Sequence, residues 1–307
     1  MNYYLPEGMG LRRGGFTPEL LRRAKAEGTI LQAPAVLCDE KHDLLVDLGC
    51  CTGHLPREEC AIGILEGETR DIAILSRVGK AVSFRVVDFL PNGTPLLSRR
   101  LAQEEARNFL FENRRPGDIL PAVVTSLASF GAFCDVGCGL PALLGIEHIS
   151  VSRISHSRDR FREDQPVFAV IRSMDPDSLR IQLSHKELLG TWAENAALFQ
   201  PGQTVPGIVR SVKDYGAFIE LTPNLSGLAE PNFDLRTGDA VSVYIKSILP
   251  ERLKIKLVAL RKLDAATLPQ RPLRYFKTAG HIDTWKYGND GFAKTVSTFS
   301  CAPHAGG

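Results

Sequence analysis

The residues with most chemistry to offer in this chain are its histidines, cysteines and paired aromatics. His281 and Asp283 lie two positions apart beside Trp285, a spacing that would serve proton transfer if a nucleophile or third partner accompanied it; none does, so the pair is an incomplete acid–base site. The seven cysteines (Cys38, Cys50, Cys51, Cys60, Cys134, Cys138 and Cys301) are odd in number, include one adjacent pair and form no C-x-x-C motif. A disulfide framework or zinc ribbon needs paired spacing. Reduced thiols are therefore expected, with Cys134 and Cys138, and likewise Cys50 and Cys51, as small buried apolar residues. The sequence has no phosphate-cradling Gly-rich loop, paired-carboxylate motif or Ser/His/Asp order. The expectation is no catalytic residue, no metal site and no cofactor. The aromatics remain: Phe130 and Phe133 enclose Gly-Ala, and so do Tyr215 and Phe218. Exposed aromatic rings stack on nucleobases, a contact worth about 1–3 kcal/mol per base that tolerates any sequence.

The two aromatic segments belong to copies of one unit. Residues 116–144 and 201–229 align without a gap at an offset of 85, matching Pro116-Gly117 to Pro201-Gly202 and Gly131-Ala132-Phe133 to Gly216-Ala217-Phe218. Further on, VFAVIRS (167–173) meets VSVYIKS (241–247) and LRIQL (179–183) meets LKIKL (253–257), now at an offset of 74. The central unit thus carries eleven extra residues, around 151–164, between its third and fourth strands. A weaker third copy comes first: HDLLVDLG (42–49) lines up with FGAFCDVG and YGAFIELT, with His42 and Leu45 in place of the aromatics. Each unit holds about five short alternating β-branched runs, which suits a small closed barrel of the OB type.

The expected fold is therefore mainly β, with tandem five-stranded OB barrels joined by short helices. The borders read as an N-terminal arm and helix over 1–28 (N-cap Thr17, then Pro18), a degenerate barrel over 29–100 and a linker helix over 101–115. A barrel over 116–185, a second linker helix over 186–200 and a barrel over 201–262 follow. The extension 263–307 carries a hairpin within 274–287, with Trp285 as core and the final CAPHAGG as a frayed tail.

With their late strands LRIQLS and LKIKL, the FGAF and YGAF segments resemble the S1 RNA-binding repeat. The resemblance is best over 116–187, good over 201–260 and weak over 29–102; the chain as a whole is similar to S1-like proteins of anaerobic Gram-positive bacteria. It implies an S1-type OB fold that binds RNA without catalysis, through two aromatics, a histidine on the next strand, and an Asp and Arg around the last hairpin. Phe130, Phe133, Asp175 and Arg180 match in the central unit. Tyr215, Phe218 and Lys254 match in the third, where Leu249 takes the Asp position. The family's histidine falls on Gly145 and on Glu230, and His148 follows three residues after the former. Phe130 and Phe133 would face opposite ways on a regular strand, so a bulge at Gly131 is expected to bring both to one side. In the insert, Arg153, Arg158, Arg160 and Arg162 read either as a flexible arm holding phosphates or, with Asp159, Glu163 and Asp164 among them, as a locally neutralised segment.

A net charge of +2, 44% hydrophobic and 23% charged residues fit ordinary globular domains and give no general excess of positive charge for nucleic acid. Residues 116–187 hold seven basic and nine acidic side chains, and residues 201–262 nine and six, so charge favours the third unit and aromatics the central one. The expected partner is single-stranded RNA, mRNA or rRNA, with the ribosome as a further partner. No apolar run reaches bilayer length, and the first ten residues show no basic region followed by an apolar one, so no membrane partner is expected and the cytoplasm is the expected location. The alternative is a protein–protein scaffold or ribosome-associated factor that uses the barrels without touching RNA. The degenerate first unit, the missing histidines and the low net charge favour it, and RNA binding itself separates the two readings.

Overall fold

Runs such as Arg180–Ser184 and Lys254–Leu257 alternate exposed and buried positions, so each covers a core only as one wall of a curved sheet. The computed structural model describes residues 4–12, 15–231, 234–264, 273–289 and 295–299. In it, fifteen strands close into three barrels of identical topology. Barrel 1 comprises β1 (Leu31–Cys38), β2 (Leu44–Asp47), β3 (Thr52–Leu55), β4 (Ala81–Phe89) and β5 (Pro95–Ser98). Barrel 2 comprises β6 (Ile119–Ala128), β7 (Gly131–Asp135), β8 (Pro141–Gly145), β9 (Pro166–Asp175) and β10 (Arg180–Ser184). Barrel 3 comprises β11 (Thr204–Lys213), β12 (Gly216–Thr222), β13 (Leu225–Ala229), β14 (Ala240–Leu249) and β15 (Lys254–Leu263). In each, the first three strands form a meander, the third pairs in parallel with the fifth, and the fourth closes on the first. Closure leaves no long unpaired edge. Each first strand bends at one extra residue, Val36, Thr125 or Arg210, where the register shifts by one.

Helices connect the barrels. In α1 (Pro18–Glu27) the Thr17 hydroxyl accepts from the Leu20 amide, and Gly28 ends the helix at φ 66°. A four-residue α2 (Ile72–Leu75) lies between β3 and β4. The first linker is one helix, α3 (Arg99–Asn113), capped by Ser98. The second differs from the continuous helix expected. Gly190 adopts φ 83° and breaks it into a 3-10 turn, Lys186–Leu189, and a short α4 (Trp192–Ala196) opened by a capping box between Thr191 and Glu194. The C-terminal hairpin also differs. It pairs β16 (Thr284–Lys286) with β17 (Val296–Thr298), and residues 274–283 run along barrel 2 instead of forming a strand pair. Trp285 is core. Cys301 and the tail lie outside the described residues. Cys38, Cys50, Cys51, Cys60, Cys134 and Cys138 are free thiols; Cys134 and Cys138 are buried as expected, but Cys50 and Cys51 sit in the turn between β2 and β3 and are exposed, and burial pushes the Cys60, Cys134 and Cys138 thiols up to about 12.

Each barrel is locked to the next. Between barrels 1 and 2, Glu7 of the N-terminal arm accepts two bonds from the buried Arg99 guanidinium (2.6 and 2.9 Å) and donates its amide to Asp135. Between barrels 2 and 3 lies one apolar core. Ile119 and Val170 of barrel 2 join Trp192 of the linker, Leu225 and Val241 of barrel 3, and Ile282, Trp285 and Tyr287 of the C-terminal segment. Asn224 donates to the carbonyls of Lys186 and Gly190 and accepts from the Val151 amide, so this buried amide is satisfied. His281, read as half of an acid–base pair, is a fastener. Its Nδ1 lies 2.7 Å from Asp118 and its Nε2 3.2 Å from Asp283, pinning the C-terminal segment to barrel 2.

Candidate nucleic-acid interface

The two aromatic pairs have the same geometry. The Phe130 and Phe133 rings meet edge to face with centroids 6.0 Å apart, and Tyr215 and Phe218 do so at 6.3 Å. Phe130 is 56% exposed and Tyr215 63%, while Phe133 and Phe218 are half-buried beside them. Their common side does not come from a bulge at Gly131. The β6–β7 pairing closes at Ala128 and Gly131, and β11–β12 closes at Lys213 and Gly216. Phe130 and Tyr215 therefore sit in two-residue hairpin turns, where strand alternation does not apply. The bulge of each hairpin lies on the opposite strand, at Thr125 and Arg210. Glycine is needed for another reason. Gly131 and Gly216 adopt φ 155° and 145°, and a Cβ there would lie 2.3 Å from the Leu144 carbonyl oxygen or 2.2 Å from that of Ala229.

Strand register extends each pair into a row across the barrel wall. Phe133 stands opposite Leu143, Leu143 opposite Gln182, and Gln182 opposite Ser173, with Arg172 in the adjoining β9 bulge. Arg172 donates to the Gln182 side chain at 2.6 Å. In barrel 3 the same row reads Phe218, Leu228, Lys256 and Ser247, with Lys246 in the bulge. Lys246, Lys254 and Lys256 are exposed. Stacking surface thus runs into positive charge on both barrels. Sequence reasoning passed over Arg172, Gln182, Lys246 and Lys256. The alternation in RIQLS and KIKL was enough to place Gln182 beside Arg180 and Lys256 beside Lys254. The bulge positions leave no such trace.

The other expected residues divide. Arg180 and Asp175 are exposed partners closing the β9–β10 hairpin. The Ser178 hydroxyl and the Ser178 and Asp177 amides all donate to Asp175, hold its carboxyl below the usual range and make it a turn-former that positions Arg180. Lys254 occupies Arg180's place in barrel 3, where Leu249 closes the hairpin. His148 ends a 3-10 turn after β8, with Lys186 Nζ 3.4 Å from its Nδ1. Burial, then the nearby Lys186 and Arg172 charges, lower its pKa to about 4, so its 3.3 Å contact with Glu147 is not an ion pair at neutral pH. Glu230, at the family's histidine position, pairs with Lys246 at 3.4 Å.

The insert is anchored to barrel 2. Phe161 enters the barrel 2 core, the Ser157 hydroxyl donates to the Ala128 carbonyl, and His156 caps a short 3-10 turn. Arg160 is buried instead of exposed. Its guanidinium donates to both Glu220 oxygens at 2.7 and 2.9 Å in a nearly water-free joint with barrel 3. Arg210 completes that cluster, reaching Glu220 at 2.7 Å and Asp159 at 3.7 Å. Burial pushes the Glu220 carboxyl up, but the Arg160 and Arg210 guanidiniums outweigh it and hold the pKa below the usual carboxylate range. Arg153 and Arg158 are exposed. Among the described residues no helix is long and apolar enough to cross a membrane.

Comparison with known proteins fits this geometry. Residues 114–186 match the family model of the S1 RNA binding domain. The chain is 30% identical over 257 residues to small ribosomal subunit protein bS1 of Leuconostoc lactis, covering 77% of this chain and 58% of that protein. It is 30% identical over 241 residues to the bS1 homolog of Bacillus subtilis, covering 73% and 61%. The chain thus spans about three fifths of the length of these curated relatives. Among solved structures, a multidomain protein with nucleic acid binding domains from Streptococcus pneumoniae aligns over 76% of this chain and 73% of its own at 14% identity, with a TM-score of 0.26. Residues 114–186 thus match the S1 RNA binding domain, barrels 1 and 3 repeat the strand order of that barrel, and the chain is similar to the bS1 proteins over about three quarters of its length.

Proposed function

We propose that this protein binds single-stranded RNA, without catalysing a reaction on it, through the outward rows of barrels 2 and 3, and that it acts in translation or RNA metabolism in the cytoplasm with mRNA, rRNA or the ribosome as partner. The observation that carries the reading is a duplication. An edge-to-face aromatic pair sits on the same hairpin turn of two barrels, 6.0 and 6.3 Å between centroids. Each pair leads along the same register into cations, Arg172 and Arg180 in one barrel and Lys246, Lys254 and Lys256 in the other. A packed core has no use for an exposed phenylalanine beside an exposed tyrosine-bearing twin, whereas bases stack on such rings and the phosphates between them need nearby positive charge. Phe130, Phe133, Tyr215 and Phe218 would hold bases, while Arg180, Lys254 and the exposed Arg153 and Arg158 would contact phosphates. His148, neutral at physiological pH, would offer a hydrogen bond but no charge. Asp175 would act only by holding Arg180 in place. Two weak sites joined in one chain give a longer RNA an avidity that neither barrel reaches alone.

Ultraviolet cross-linking of a uridine dodecamer to the full chain, with peptide mapping, tests this reading. Cross-links are expected in the peptides carrying Phe130–Phe133 and Tyr215–Phe218. Cross-links confined to barrel 1, or none at low salt, would overturn it.

A further inference from the structure

The row that bears aromatics and cations on barrels 2 and 3 has a counterpart on barrel 1 with opposite chemistry. By register, Leu45 on β2 holds the place of Phe133, His54 on β3 that of Leu143, and Leu96 on β5 that of Gln182. Leu37 stands opposite Leu45, Asp88 stands opposite Leu96, and Val87 fills the bulge where Arg172 and Lys246 lie in the other barrels. No cation occupies this row. Its two ends are in water instead, Leu37 at 47% exposure and Val87 at 40%, with Leu45 and Leu96 half-buried between them and the bulge residue Val36 of β1, 50% exposed, beside Leu37. The turn at the end of the row, where Phe130 and Tyr215 stand in the other barrels, is here a loop with exposed Asp39, Glu40 and Lys41. Asp88 at the far end is exposed and holds Lys25 at 2.7 Å. Residues 29–98 contain ten acidic and six basic side chains. Single exposed leucines or valines mean little, but these are neighbours in register on one wall. Contiguous apolar surface rimmed by charge marks an interaction site.

We propose that this wall of barrel 1 is a docking surface for a basic amphipathic polypeptide segment, a helix whose apolar stripe is flanked by Lys and Arg. This goes beyond RNA binding and does not depend on it. The rim selects the occupant, because the cations that could hold phosphate on the other barrels are missing here, whereas Lys and Arg flanking an apolar stripe would meet Asp39 and Glu40. The dimensions agree: a row across five strands spans about 20 Å at roughly 4.8 Å per step, the length of a helix of about 13 residues.

The test uses the full chain and a fluorescein-labelled 14-residue Leu/Lys amphipathic helix as probe, with a Leu/Glu helix of the same pattern as control. The Leu/Lys helix should bind wild type and bind Leu37→Asp/Val87→Asp at least tenfold more weakly, while the Leu/Glu helix does not bind and a labelled RNA dodecamer binds both proteins equally. Leu37→Ser/Val87→Ser, which alters only exposed positions, replaces the aspartate variant if that one fails to fold. Equal binding of the Leu/Lys helix to wild type and variant, or equal binding of both helices, overturns the proposal. So does a variant that loses RNA binding, which would make this wall an RNA face, or one that loses a concentration-dependent dimer, which would seat a second copy there.

Discussion

Replacing Glu220 by glutamine removes one charge and almost no volume from the joint between barrels 2 and 3. The carboxylate is 5% exposed and accepts four bonds, from Arg160 at 2.7 and 2.9 Å and from Arg210 at 2.7 and 3.2 Å. Arg160 depends on it most, since its Nε has no partner and its other acceptor is the Ser150 hydroxyl. Arg210 retains Asp159 at 3.7 Å. Breaking a buried ion pair from one side costs about 3–5 kcal/mol, because a desolvated charge is left behind. Both tryptophans of the chain, Trp192 and Trp285, lie in the core that this joint borders, so their fluorescence reports it without labelling. With a urea slope of about 2 kcal/mol/M for a unit of this size, the tryptophan midpoint should fall by about 1.5–2.5 M. Removing all three charges together, as Glu220→Leu/Arg160→Met/Arg210→Met, should return the midpoint to within about 0.5 M of wild type. A Glu220→Gln protein whose midpoint moves by less than about 0.5 M would refute the claim that this cluster is desolvated and holds the barrels together.

Gly131→Ala places a Cβ 2.3 Å from the Leu144 carbonyl oxygen at φ 155° and should destabilise barrel 2 by about 2–4 kcal/mol, read as a lowered thermal midpoint; a shift below 1 °C would contradict the close approach. Acid should loosen the fold in two stages. His148 and His185 are depressed to about 4 from an ordinary value near 6.5, so their contribution is complete above about pH 6.5 and is lost on the way down to pH 4. Glu220, also depressed, starts to lose its contribution only as pH falls through the ordinary carboxylate value, and urea midpoints at pH 7, 5 and 3.5 should decline in that order. Because His148 stays neutral, RNA affinity should be the same at pH 6 and pH 8, measured by anisotropy; a tenfold gain at pH 6 would show that it titrates on the RNA face.

The repeat, the closed barrels and the two aromatic pairs were legible because each leaves a local mark: an offset of 85, period-two strands, and Gly-Ala between rings. Thr17 before Pro18 likewise announced α1. The misreadings have a common cause in partners far apart in sequence. Arg160 sits among other arginines in the insert, and nothing nearby says that Glu220, sixty residues later, takes it out of solvent. The helix expected from Lys186 onward had sound apolar spacing, but Gly190 serves a left-handed turn and Asn224 satisfies the carbonyls that the break frees. Phe130 was placed on a strand when it belongs to a turn, because pairing at Ala128 and Gly131 depends on a bulge across the sheet. The apolar row of barrel 1 was visible only as missing aromatics until register put Leu37, Leu45, Leu96 and Val87 on one wall.

The most direct test of RNA binding is fluorescence anisotropy of a labelled single-stranded RNA dodecamer titrated with wild type, Phe130→Ala/Phe133→Ala and Tyr215→Ala/Phe218→Ala at two salt concentrations. Each aromatic pair should contribute about 2–4 kcal/mol, so each double variant should bind roughly 30-fold or more weakly. If four phosphates are neutralised by Arg153, Arg158, Arg180 and Lys254, log affinity should fall with log salt at a slope of about −2.8. Wild-type binding that neither double variant weakens, or no binding at low salt, would contradict the account.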